Sequence, residues 1–324
     1  MSTPVRISYA AITALLILAA WLNLGVLVLT ILFGYFALQS FSFKGNRIVG
    51  VSLYVIAVAG IAWGLIFFSR QAYIALPRIA ETTIPAVVGY AEKKGVELPF
   101  SDYASLKNVA LKQVQEEVAG VGRYARLAFF KIALLVIGLV IALSLFLKPG
   151  WGADARCGQT PENLYTTLAH ELGARFEAFY LSFAKVMGAQ LIISTLNTGL
   201  TAVFLIWNGY PYVPVIIGLT FLCGLLPIIG NIFSNTLIVA VGFTISPRTA
   251  WFALLFLVLI HKLEYFLNSK IIGNRIKTPM WLMLIGIVLG EKMMGIPGMV
   301  LAPVVLHYIK VEASRRKMSL PTEL

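Results

Sequence analysis

The stretch VPVIIGLTFLCGLLPIIGNIFSNTLIVAVGFTI, Val213–Ile245, decides the fold. It runs for about 33 residues without a charge and is interrupted midway by Gly224-Leu-Leu-Pro227-Ile-Ile-Gly230-Asn231. A membrane-spanning helix needs about 20 apolar residues, so this window is too long for one span and too short for two. It lies inside a longer uncharged run, Val186 to Pro247, of about 62 residues, and Ile7 to Phe43 is a second such run. Neither can be a soluble core helix. The chain reads as an all-α, polytopic integral membrane protein.

Composition agrees. The apolar fraction is 59% and the charged fraction 12%, about half the charge of a soluble domain. The N-terminal apolar region continues through Leu24 to Phe41 and does not end at a small-residue cleavage site, which excludes a cleaved signal peptide. The net charge of +12 reads as Lys and Arg held beside anionic lipid on the cytoplasmic face, with no nucleic-acid partner. Cys157 and Cys223 have no paired spacing, so neither a disulfide framework nor a metal site is expected.

Hydropathy gives about six full spans: Ile7–Leu22, Leu24–Gln39, Ile48–Ser69, Leu127–Leu147, Val186–Trp207 and Thr249–Leu267. The first two are separated only by Asn23-Leu24-Gly25, which suggests a tight hairpin or two tilted helices. Residues 70–123 carry charges of both signs, with apolar residues at helical spacing (Leu106, Val109, Val114, Val118, Val121). They read as an amphipathic helical hairpin outside the bilayer. Residues 148–184 read as a cytoplasmic linker that becomes helical from Thr160-Pro161-Glu162.

A second window, Met280–Ile309, repeats the length anomaly and is broken at Gly290-Glu-Lys-Met-Met-Gly295-Ile-Pro297-Gly298. Two re-entrant hairpins, 213–245 from outside and 280–309 from inside, put the basic clusters on one face. Those clusters are Lys44 and Arg47, then Lys270, Arg275 and Lys277, then Lys310 with the tail residues Arg315, Arg316 and Lys317. Both termini are then cytoplasmic. The organisation is one permease domain over 1–324: spans in 1–69, the outer hairpin 70–123, a span in 124–147, the linker 148–184, a core over 185–309 and a basic tail, 310–324. Backbone freed by Gly or Pro must be buried or line a polar cavity. Paired interrupted segments of this kind mark a transporter's midplane site. Pro-kinked helices with small-residue packing faces, as at Gly286-xxx-Gly290, are the simpler account.

Polar residues inside the apolar windows are the candidate site. Gln190, Ser194, Asn197 and Thr201 lie on one helical face, either hydrogen-bonding between helices or walling a solute path. His261, Glu264 and Asn268 share another face. An ionisable residue late in an apolar helix is a functional candidate, and burial would favour the protonated form of Glu264. The simpler reading pairs Glu264 at the interface with Lys262, Lys270 or Arg275. Glu291 has the same two readings, and His307 is expected at the interface and not as a ligand. Asn231 and Asn235 follow the first break at i, i+4, near a helix N-terminus that favours anions or oxygen-rich solutes; capping is the simpler role for Asn231. Pro227, Gly230, Asn231 and Asn235 with Gly295, Pro297 and Gly298 complete the path candidates, and His261, Glu264, Asn268 and Glu291 are the coupling candidates.

Three segments in order carry a resemblance: Gly224-Leu-Leu-Pro-Ile-Ile-Gly230, Leu263-Glu264 with Ile-Ile-Gly273, and Gly295-Ile-Pro-Gly298-Met-Val-Leu-Ala302-Pro303. Together they resemble the autoinducer-2 exporter-like family of bacterial membrane permeases, over nearly the whole chain. The resemblance implies a homo-oligomeric inner-membrane transport protein; members are linked to export of a quorum-sensing signal, others to sodium/proton antiport. Two positions depart from the pattern. Asn268-Ser269-Lys270 stands where a Pro is usual, and Asn231 where another Pro is common.

Secondary transport of a small polar solute between the two broken hairpins is therefore the leading expectation, with no cofactor. Cation/proton antiport and a non-transporting scaffold are the alternatives. No Walker-type phosphate loop is present. An intramembrane enzyme is not expected, because neither His-Glu-x-x-His nor Gly-x-Ser-x-Gly occurs and no intramembrane aspartate pair is seen.

Overall fold

The computed structural model describes residues 3–42, 46–95, 121–147, 163–226, 229–272 and 279–314, with side chains described for all of these except 121–126, 229 and 265–272. Ten helices follow in order, with no strand among the described residues: α1 Thr3–Trp21, α2 Gly25–Phe41, α3 Arg47–Lys93, α4 Val121–Leu147, α5 Leu164–Trp207, α6 Val213–Gly224, α7 Ile229–Ile245, α8 Pro247–Ile272, α9 Met280–Met294 and α10 Ile296–Ser314. Five of them are long and apolar enough to cross a membrane. Large apolar side chains stand bare on their surfaces, Trp21, Trp63 and Trp207 among them. In water such patches would drive association; in lipid they are the ordinary outer surface.

Two windows of anomalous length are each a pair of packed helices. In the first, α6 has 12 residues and α7 has 17, about 18 and 26 Å at 1.5 Å per residue. In the second, α9 has 15 and α10 has 19, about 22 and 28 Å. The second break falls at Gly295, whose φ of 66° is a left-handed backbone that glycine adopts without a Cβ clash. Pro227, the expected breaker of the first, lies outside the described residues.

The chain divides into two compact units. One comprises Met1–Ala57, Phe130–Gly188 and Ile272–Leu324. In it α1 and α2 form the tight hairpin that the Asn23-Leu24-Gly25 spacing suggests, turned at Asn23 with φ 54°. The turn of this hairpin meets the turn of α9–α10: a Cβ on Gly25 would stand 2.7 Å from Cβ of Pro297. Both hairpins therefore start and end at the same end of this unit. Arg47 Nη1 donates to the Leu147 carbonyl at 2.8 Å, which brings the start of α3 to the end of α4.

The other unit comprises Val58–Phe129 and Ala189–Ile271. Its core is Leu205 of α5, Ile216 of α6, Ile238 and Val241 of α7, and Ala253 and Leu257 of α8, joined by Ala72, Ala75 and Ile79 of α3. Phe204 and Phe256 stack at 4.3 Å. This packing fixes α5, α6, α7 and α8 beside one another, which is what positions the site.

Two helices run longer than hydropathy suggests. Helix α3 continues without a break from its apolar segment through Arg70 to Lys93, with Pro77 and Pro85 inside it. The rest of the expected outer hairpin, 96–120, lies outside the described residues, as do the expected cap at Thr160-Pro161-Glu162 and the basic tail beyond Ser314. Helix α5 begins at Leu164, where Asn163 and Thr166 cap each other: Thr166 N–H donates to Asn163 Oδ1 at 2.9 Å and Asn163 N–H to Thr166 Oγ1 at 3.1 Å.

Candidate functional site

The polar stripe on α5 performs two different tasks. Its first two residues repair the break. Gln190 Nε2 donates to the Gly224 carbonyl, and Ser194 Oγ donates to the Phe221 carbonyl at 2.9 Å. These carbonyls end α6, where the helix has no further N–H to offer them. The next two residues, Asn197 and Thr201, line a small polar cleft with Ser194, Thr220, Asn231, Ser234, Asn235, His261 and Glu264. Leu257 and Ile260 supply apolar wall. The free space is about 20 Å³, room for one or two water molecules.

Glu264 is the charge at the centre. Its side chain is only 14% exposed. Asn231 Nδ2 donates to Oε1 at 3.0 Å and to Oε2 at 2.9 Å. Asn197 Nδ2 reaches Oε2 at a long 3.4 Å, and His261 Nδ1 stands 3.7 Å from the same oxygen. The carboxylate also faces the first turn of α7, where the helix dipole is positive. Among the described residues its polar partners are these three; Lys262 is not one of them, and the Lys270 side chain and Arg275, the other expected partners, lie outside the described residues. Asn231 does not cap α7 with its side chain; it ties α7 to α8.

Asn197 presents its Nδ2 to Glu264 and leaves Oδ1 buried without a hydrogen-bond partner. A buried orphan acceptor is costly in a native structure and calls for a water or a ligand group. The cleft thus offers hydroxyls, amides, one carboxylate and an open acceptor. Among the described residues that line it there is no Lys or Arg.

The remaining expected residues fall elsewhere. His261 shares the face of Glu264 as the i, i+3 spacing requires, yet its side chain is 66% exposed. The side chain of Asn268 is outside the described residues. Gly230 lies against α6, where a Cβ would fall on the Cys223 carbonyl. Gly295, Pro297 and Gly298 belong to the other unit and line no part of this cleft. There Gly290 and Gly298 touch backbone to backbone, and Gly286 rests on Leu306. That is the close small-residue packing that the simpler reading of the second break required. Glu291 is exposed beside Lys292, with 3.9 Å between charges. His307, expected at the interface, is instead buried in protein at 7% exposure, with no hydrogen-bond partner at either ring nitrogen.

Thr220, a lone polar residue in an apolar stretch, and Ser234, the neighbour of Asn235, escaped sequence reasoning, although both line the same cleft as Asn235. A family model described as AI-2E family transporter matches residues 5–314. The chain belongs to the AI-2E transporter family. Neither curated proteins nor solved structures yield a match. The AI-2E membership and the apolar helices together make this a multi-pass membrane protein with a transport role.

Proposed function

We propose that this AI-2E protein is a secondary transporter that moves a small polar solute across the inner membrane, and that the cleft at the first broken hairpin is its solute-facing wall. The observation that carries the reading is the buried Glu264 carboxylate, held by Asn231 beside the unpartnered Asn197 Oδ1. Depth supports it. Trp207 and Trp251 are exposed aromatic residues at the end of α5 and the start of α8, the kind that rest at a lipid–water interface. Asn197 lies about ten residues before Trp207 and Glu264 about 13 after Trp251, roughly 15 and 20 Å along their helices. A hydrocarbon core is about 30 Å thick, so the cleft falls inside it. The second break, closed by Gly290 against Gly298, is proposed as a packing element, which narrows the expected path to the first hairpin.

The topology in this reading puts both termini in the cytoplasm, with the α6–α7 hairpin entering from outside and the basic clusters against anionic lipid. Assembly as a homo-oligomer follows from the family resemblance. The deciding experiment compares the metabolites of cells with and without the protein and then measures flux of the accumulated solute in proteoliposomes. Absence of flux for every solute that changes would overturn the reading in favour of a scaffold.

Sodium/proton antiport is the second reading, favoured by one observation: among the described residues that line the cleft there is a carboxylate and no Lys or Arg. Glu264→Gln in proteoliposomes separates it. Abolished proton-coupled sodium flux supports antiport, and unchanged flux removes Glu264 as the coupling residue.

A further inference from the structure

A second buried polar cluster lies in the unit that comprises Met1–Ala57, Phe130–Gly188 and Ile272–Leu324. Arg175 of α5 donates from Nη1 to Glu312 Oε2 at 2.7 Å and from Nη2 to Glu171 Oε2 at 2.9 Å. The Tyr9 hydroxyl of α1 donates to the same Glu312 oxygen. The guanidinium carbon stands 4.4 Å above the Tyr9 ring. One Arg therefore gathers the first helix, the fifth and the last, across more than 300 residues of chain.

The cluster is expensive where it stands. The Glu312 side chain is 6% exposed and that of Arg175 15%, and desolvating such charges offsets most of their attraction. Arg175 Nε is buried without a hydrogen-bond partner, so the network is incomplete. Glu312 sits in the last turn of α10, where the helix dipole disfavours a carboxylate. Arg175 and Tyr9 are among the groups that offset this cost.

Among the described residues α1 is buried over only a small part of its length. Its buried residues are Ser8, Ile12 and Ala20, while Leu15, Ile17 and Leu18 are exposed. Apolar side chains facing lipid give no net preference for docking, because lipid is as apolar as a neighbouring helix. Polar contact then decides whether α1 is bound.

We infer that Tyr9, Arg175 and Glu312 form a releasable clasp that docks the N-terminal helix α1 onto α5 and α10, and that α1 undocks as a unit when the clasp opens. Closed, the clasp satisfies Glu312; open, the charges rehydrate at the end of the unit where α1 begins and α10 ends. The inference stands independently of the cleft's role.

Spin-label distances in the full-length protein in lipid nanodiscs test it, with one label on α1 at the exposed Leu15 and one on α10 at the exposed Ile309. Glu312→Gln should add a longer and broader component to the Leu15–Ile309 distance and leave a control pair on α6 and α7, at the exposed Leu222 and Phe233, as in the wild type. Tyr9→Phe, which keeps the ring and removes only the hydroxyl, should add the same component in a smaller share of molecules. An unchanged α1–α10 distance for both variants overturns the clasp. So does equal broadening of the control pair in Glu312→Gln, which marks a general strut. Should Glu312→Gln fail to fold, Tyr9→Phe decides alone: a longer α1–α10 component supports the clasp and a wild-type distance refutes it.

Discussion

Asn231 gives its side-chain amide to both carboxylate oxygens of Glu264, at 3.0 and 2.9 Å, and so joins the start of α7 to the later part of α8. The contact joins two helices of one unit and holds the carboxylate against the first turn of α7.

Replacing Asn231 tests that tie. Hydrogen bonds to a charged group contribute about 1.5–3 kcal/mol. Asn231→Ala is expected to lower unfolding free energy in mixed micelles by an amount in that range. Asn231→Pro should cost about as much and no more, because the position is in the first turn of α7, where proline's missing N–H is tolerated. A much larger loss for Pro than for Ala would show that the backbone N–H of Asn231 has a partner of its own.

Two pairs of glycines have opposite expected responses to Ala. At Gly230 and Gly298 an added Cβ would fall on backbone carbonyls, of Cys223 and Gly290. Gly230→Ala and Gly298→Ala must push hairpin arms apart and should each cost more than about 2 kcal/mol. At Gly64 and Gly199 nothing lies within reach of a Cβ. Gly64→Ala and Gly199→Ala should stabilise their helices by about 0.5–1 kcal/mol through helix propensity alone. Reversal-of-denaturation measurements on the four variants check both signs.

The glycine contrast shows where sequence reasoning stops. The two broken hairpins were legible, because residue counts of 33 and 30 misfit the bilayer and Gly and Pro sit midway. The α1–α2 hairpin was legible from its three-residue spacer, and the shared face of His261 and Glu264 from i, i+3 periodicity. Periodicity fixes only faces of one helix. It could not divide the α5 stripe into Gln190 and Ser194, which repair carbonyls, and Asn197 and Thr201, which line the cleft. Nor could it bring Asn231 to Glu264, a contact between two helices decided by α7–α8 packing. The Tyr9–Arg175–Glu312 cluster was hidden for the same reason, its one local sign being a Glu at the unfavourable end of α10.

The two breaks should differ in access to water. A single cysteine at Asn235, which lines the cleft and is half-buried, is expected to react with a small membrane-impermeant methanethiosulfonate in a Cys157→Ser, Cys223→Ser background. Cysteines at Val300 and Leu301, buried beside the second break, should remain unlabelled. Equal protection at all three positions would make the cleft dry and favour a scaffold.

Ser194 and Gln190 turn the same question into energetics. Each donates to a carbonyl at the end of α6, to Phe221 and Gly224, and Ser194 and Gly224 both line the cleft. An acceptor stranded away from water costs about 1–3 kcal/mol, whereas one that a water molecule can reach recovers most of that bond. Gln190→Leu and Ser194→Ala each strip the donor from one of these carbonyls, and a water entering from the cleft should hold either cost below about 1 kcal/mol. Unfolding titrations of the two variants measure these losses directly. A loss of about 1–3 kcal/mol for both would mean that no water reaches the end of α6, and the cleft could not then act as a polar path.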